Sequence, residues 1–137
     1  MPSDIILIGP QSVGKSTVGA LLAAQLGLPQ CSMDDQRWGY YSEIGYDEEI
    51  AKRKKETEGA WGIIRYWKPF EAYAVERLLT EHQNCVIDFG AGHSVYDDPV
   101  LFQRVQTALA PYPNVVLLLP SPDLDESIRI LDEHNTQ

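Results

Sequence analysis

Basic residues are scarce in this chain: 11 Lys and Arg stand against 20 Asp and Glu, a formal charge of −9. That balance repels phosphate backbones and anionic lipid, so neither nucleic acid nor a membrane surface is expected as a partner. It leaves room for a nucleotide, whose charge a few backbone amides and a divalent cation can carry. Cysteine is limited to Cys31 and Cys85, each beside apolar residues, so buried thiols rather than a disulfide framework are expected. His82, His93 and His134 have no partners at metal-ligand spacing, and no structural zinc pattern exists. The longest apolar run, Val115 to Leu119, is far too short to span a bilayer. No basic leader precedes an apolar core, since Met1-Pro2-Ser3-Asp4 passes directly into an apolar segment; a cytoplasmic location is the expectation. Repeats, linkers and low-complexity tracts are also missing. With 137 residues, one domain over 1–137 with its own core is expected.

What is present is organised around Gly9-Pro10-Gln11-Ser12-Val13-Gly14-Lys15-Ser16-Thr17. This stretch fits the phosphate-binding loop G-x-x-x-x-G-K-[ST] at every fixed position. A chance match falls at roughly 1 in 30,000 positions, so coincidence is set aside. Ile5-Ile6-Leu7-Ile8 runs into the loop as a strand buried on both faces. Val18, Leu21, Leu22 and Leu26 follow at helical spacing, and Gly27 with Leu28-Pro29 stops the helix. Gly9 and Gly14 let backbone amides approach phosphate oxygens, and the helix N-terminus aims its unpaired amides at the anion. Lys15 is expected on the β- and γ-phosphates of ATP, Ser16 on Mg²⁺ and Thr17 on an inner phosphate.

Further along, strand one is read over 4–8, helix one over 15–26 and a weak second strand over 30–33, delivering Asp34 and Asp35 at its carboxyl end. In open parallel sheets ligands bind at that end. From Arg37 to Tyr73 nine aromatics and the basic run Lys52-Arg53-Lys54-Lys55 crowd together. Residues 37–82 are read as a helical substrate-binding insertion. Asp47 caps a helix reaching about Thr57, and Gly59 interrupts it. Trp61 to Trp67 is helical, and Lys68-Pro69 marks a break or kink. Phe70 to His82 resumes with Ala74, Val75, Leu78 and Leu79 on one side. A third strand over 84–88 ends in Asp88, followed by the turn Phe89-Gly90-Ala91-Gly92. Asp98-Pro99 opens a helix with Val100, Leu101, Val105 and Leu109 as its apolar face. Strand four covers 114–119, and Asp123 begins a last helix carrying Leu124, Ile128 and Leu131.

In this order the features resemble shikimate kinase and its relatives among the nucleoside-monophosphate-kinase-like P-loop proteins. The likeness is strongest at Gly9 to Thr17 and weaker at Ser32-Met33-Asp34 and Gly90-Ala91-Gly92. It implies an α/β three-layer fold with a parallel sheet of order 2-3-1-4-5, of which strand five, the arginine-bearing lid and the adenine loop are missing before Gln137. The sheet would then end at strand four, an edge that an oligomer or partner would cover. The resemblance also implies transfer of the γ-phosphoryl of Mg-ATP to a hydroxyl of a small molecule. Two departures stand out: Ser32 occupies the first place of an Asp-x-Asp pattern, and Glu71 follows Phe70 where relatives carry an arginine for the shikimate carboxylate. A shikimate-specific enzyme is therefore not expected.

The expected roles follow. Lys15, Asp34 and Asp88 are catalytic, with Asp88 and Ser16 holding the metal and Asp34 positioning the acceptor hydroxyl. The nucleotide takes Gly9, Pro10, Gln11, Ser12, Val13, Gly14, Lys15, Ser16 and Thr17. The acceptor takes Asp34, Arg37, Arg65, Gly90, Ala91 and Gly92, with Asp35, Lys68 and His93 as weaker candidates. The alternatives are a non-catalytic nucleotide-binding or regulatory module and a nucleotide hydrolase.

Overall fold

A computed structural model describes residues 4–11 and 13–135, with the side chains of 134 and 135 excepted. The expectations for Met1-Pro2-Ser3, Ser12 and His134 lie outside what is described. Four strands form one parallel sheet in the order β2-β3-β1-β4: β1 (Ile5–Ile8), β2 (Gln30–Ser32), β3 (Val86–Asp88) and β4 (Val115–Leu117). The expected fold class and strand order are those observed.

Strand alternation builds the layers. Ile6 and Ile87 point into one core with Met33, Tyr41, Phe70, Val75 and Leu78, while their neighbours Leu7 and Val86 point into a second with Ala23, Val18 and Leu22. β1 and β3 therefore feed both faces of the sheet, which is why Ile5–Ile8 is wholly apolar rather than alternating. The helix α1 (Lys15–Leu26) covers the second face. Its inward side is Gly19 and Ala23 with half-buried Val18 and Leu22, whereas Leu21 and Leu26 are exposed, contrary to the apolar face read from spacing. Small residues at 19 and 23 let the helix approach the sheet closely enough that the larger pair is turned outward.

The helix α2 (Met33–Glu43) starts with no linker after β2, so Met33 begins a helix instead of ending a strand. Asp34 and Asp35 then occupy its first turn, where carboxylates oppose the positive end of the helix dipole. The helix α3 (Glu48–Glu81) is capped by Asp47, whose carboxylate accepts from Glu49 N at 2.8 Å. It turns sharply at Gly59 (φ 73°, ψ −159°), a conformation essentially confined to glycine. At Pro69, where a break or kink is expected, the helix is not broken and continues. The proline forfeits one hydrogen bond of the ladder. Both its neighbours are held from outside the helix: Lys68 donates to the Gly92 and Val95 carbonyls and Phe70 is buried in the core.

Asp98 caps α4 (Pro99–Leu109), accepting from Val100 N at 2.8 Å and Leu101 N at 3.4 Å, as read. Leu101 and Val105 are buried and Leu109 half-buried, but Val100 lies exposed in the first turn. At the sheet margin β4 leaves Val116 and Leu117 exposed, and α5 (Leu124–Asn135) exposes Leu124 and Ile128. Among the described residues no helix is long and apolar enough to cross a membrane.

Candidate functional site

The parallel register brings the carboxyl ends of β1, β2 and β3 to one edge, with Ser32 and Leu7 each opposite Asp88. The chain leaves β1 there, turns through the glycine-rich loop and enters α1 at Lys15. Gly9 (φ 147°) is buried against the loop after β4, where a Cβ would lie 2.6 Å from the Leu118 carbonyl oxygen. A side chain at residue 9 would therefore force the loop off the sheet. Lys15 folds back across it, its Nζ donating to Gly9 O at 2.7 Å and Pro10 O at 2.8 Å. Burial pushes the Lys15 ammonium below its ordinary pKa, and the carboxylates of Asp34 and Asp88 push the other way. The ammonium is thus held at the mouth of the loop between a donor-rich helix end and two acids.

Asp88 is buried at the end of β3. One of its oxygens accepts from Gln30 Nε2 at 2.9 Å and the other from Ser32 Oγ at 2.7 Å. Gln30 Nε2 also lies 3.0 Å from the Ser16 carbonyl, bridging the start of α1 to the acid. Two polar side chains of β2 therefore fix the orientation of this carboxylate. Neither role was read from the sequence; the alternation that puts Gln30 and Ser32 on one face of β2 is the signal that contained them.

Beyond Asp88 a cleft of about 560 Å³ opens. It is lined by Gln11, Gly14, Lys15 and Ser16 from the loop and α1, by Asp88, Phe89, Gly90, Ala91 and Gly92 from the end of β3 and the turn after it, and by Asp34, Arg37, Ile64, Trp67, Lys68 and Glu71 from α2 and α3. Most of the expected site residues meet here. Gly9, Pro10, Val13 and Thr17 belong to the same loop and first helical turn but are not part of the cleft wall. Arg65 is not brought to it at all. It pairs with Glu58 at 2.8 Å across the Gly59 kink and lines a separate cavity with Lys54, Tyr66 and Phe70. Ile64, Trp67, Lys68 and Glu71 recur at i, i+3, i+4 and i+7 and so share the face of α3 that lines the cleft, while residue 65 falls on another face.

Arg37 is packed among aromatic rings. Its guanidinium carbon lies 4.8 Å from the Trp38 ring centre, 5.2 Å from that of Tyr41 and 5.5 Å from that of Trp67. Its Nη1 lies 3.6 Å from the Asp34 carboxylate. Glu71 is buried, and desolvation raises its pKa against the opposing pull of Lys68 and Arg37. His93 is wholly buried beneath the turn Ala91–Ser94, with Nε2 3.0 Å from the Tyr41 hydroxyl and Nδ1 unpartnered. It supports the turn and is absent from the cleft wall.

No family model and no curated protein matches the sequence. Three solved structures similar to it are shikimate kinases. The enzyme from Aquifex aeolicus is 24% identical over 97% of this chain and 78% of its own, with a TM-score of 0.49. That from Acinetobacter baumannii, solved in complex with shikimate, is 17% identical over 99% and 94%, with a TM-score of 0.46. That from Bacteroides thetaiotaomicron is 19% identical over 98% of each chain, with a TM-score of 0.46.

Proposed function

We propose that the cleft binds ATP through its glycine-rich loop and passes the terminal phosphoryl group to a hydroxyl of a small molecule held at the Asp34 end. The observation that carries this reading is that the loop, with Lys15 at its mouth, opens onto the same cleft as Asp34 and Asp88. Phosphoryl transfer asks mainly for positioning and for neutralisation of charge on the moving group. Lys15 and the amides at the start of α1 supply the second. Asp34, its side chain two-thirds exposed to the cleft, accepts the acceptor hydroxyl's hydrogen bond and orients it.

Ser16 and Asp88 suit Mg²⁺, which retains several waters and takes one or two protein oxygens beside phosphate. The hydroxyl and the carboxylate line the same wall, and Asp88 is already held in place by Gln30 and Ser32. The bound ion would neutralise charge on the phosphate oxygens.

The test is ADP release across a panel of hydroxylated metabolites, with wild-type protein and Asp34→Asn. Acceptor-dependent release that falls on the order of 10²-fold or more in the variant is expected. Release independent of any acceptor, and unchanged in Asp34→Asn, would make the protein a hydrolase instead.

A further inference from the structure

The acceptor end of the cleft has its charges matched inside the protein. Lys68 has three donors, and three partners stand within reach: Gly92 O at 2.9 Å, Val95 O at 2.7 Å and a Glu71 oxygen at 3.2 Å. Arg37 faces Asp34 on its own helix and is covered by aromatic rings. Each cation thus already faces a carboxylate, Lys68 that of Glu71 at 3.2 Å and Arg37 that of Asp34 at 3.6 Å. Once Lys15 faces phosphate and Asp88 the metal ion, the wall keeps two carboxylates (Asp34, Glu71) against two cations (Arg37, Lys68). An acceptor carrying its own carboxylate would add a third negative charge beside two cations that already face carboxylates, and in a partly buried cleft that is costly.

The remaining groups describe what does fit. Asp34 presents exposed oxygens that accept hydroxyl protons. Trp67 and Ile64 offer an apolar wall to a carbon skeleton. Glu71 packs directly against Gly92, where any Cβ would collide with its carboxylate, so its position is set by close contact.

We infer that the acceptor is an uncharged polyhydroxylated molecule, a sugar or polyol without a carboxylate, and that Glu71 enforces this preference by occupying Lys68. The inference rests on the phosphoryl-transfer reading for its name "acceptor" but is a statement about binding that can be measured apart from transfer.

The experiment titrates glucose, gluconate and glucosamine, and separately inositol and quinate, into the protein by calorimetry, with and without a non-hydrolysable ATP analogue and Mg²⁺. The uncharged members are expected to bind about ten-fold tighter than their acid counterparts. Glu71→Gln, which leaves Lys68 without its carboxylate, should raise the gluconate-to-glucose affinity ratio about ten-fold. Lys68→Met, which leaves Glu71 unpaired, should move preference toward glucosamine, and serves should Glu71→Gln fail to fold. Preference for the acids in wild type, no binding of either uncharged probe, or ratios unmoved in the folded variants would overturn the inference. Failure of the ATP analogue alone to bind would overturn the phosphoryl-transfer reading, while the series without nucleotide still decides the charge preference.

Discussion

Replacing His93 should remove a large part of this protein's sensitivity to mild acid. The ring is wholly buried, and its pKa is pushed down from 6.5 to about 3, by desolvation first and by the nearby Arg37 charge second. The native state therefore keeps His93 neutral while the unfolded chain takes up a proton below pH 6.5. A depressed pKa gives stability that is present above the unfolded value and lost as pH falls toward the folded one. Each pH unit in that window is worth about 1.4 kcal/mol, so going from pH 7 to pH 5 should cost about 2 kcal/mol. With a urea dependence of roughly 2 kcal/mol per molar, the midpoint moves down by about 1 M. Glu71 acts in the opposite direction, because its raised pKa makes the native state gain a proton first as pH falls. The decisive quantity is thus the difference between wild type and His93→Gln, an amide able to pair with the Tyr41 hydroxyl. Urea melts at pH 7 and pH 5 should show the wild-type midpoint falling about 1 M further than the variant's. Equal falls in both proteins would mean that His93 is protonated or solvated in the native state, and the reasoning would be wrong.

Other consequences are as direct. Gly59→Ala meets no atom within 4 Å, so any cost comes from the backbone alone; 1–3 kcal/mol of destabilisation is expected, and a neutral or stabilising result would show that the kink is not required. Asp88→Asn sets an amide donor against those of Gln30 and Ser32 and should cost about 1–3 kcal/mol in urea melts; no loss would mean those contacts do not hold the acid. Both cysteines are buried, and burial raises their thiol pKa values, that of Cys31 to about 11; a thiol reagent should label neither quickly in native protein and both in denaturant, and rapid native labelling would contradict the packing.

The parts of the fold that were legible in sequence are those where local chemistry decides. The glycine-rich loop, the caps at Asp47 and Asp98, the stop at Gly27 and the turn at Gly59 each answer to their own residues. What stayed hidden depends on partners distant in the chain. Pro69 stays inside a helix whose Lys68 is tied to a turn more than twenty residues away. Leu21 and Val100 are exposed because helix rotation is set by the closest approach to neighbouring elements, which periodicity cannot rank. In the cleft, Lys15, Asp34 and Asp88 were readable from motif and strand ends. The role of Gln30 follows from strand pairing, and which face of α3 meets the cleft, putting Trp67 in it and residue 65 outside, follows from how that helix packs. Glu71 was noticed as a misplaced charge, but its pairing with Lys68 takes the folded helix to see.

The loop's grip on a nucleotide is tested most directly by thermal unfolding with saturating ATP and Mg²⁺, on wild type and Lys15→Ala. At a hundred times the dissociation constant, binding adds about 2.7 kcal/mol, or roughly 10 °C for a chain of this size. That shift is expected in wild type and should largely vanish in the variant, measured against each protein's own nucleotide-free melt. The same shift in both, or none in either, would contradict the account.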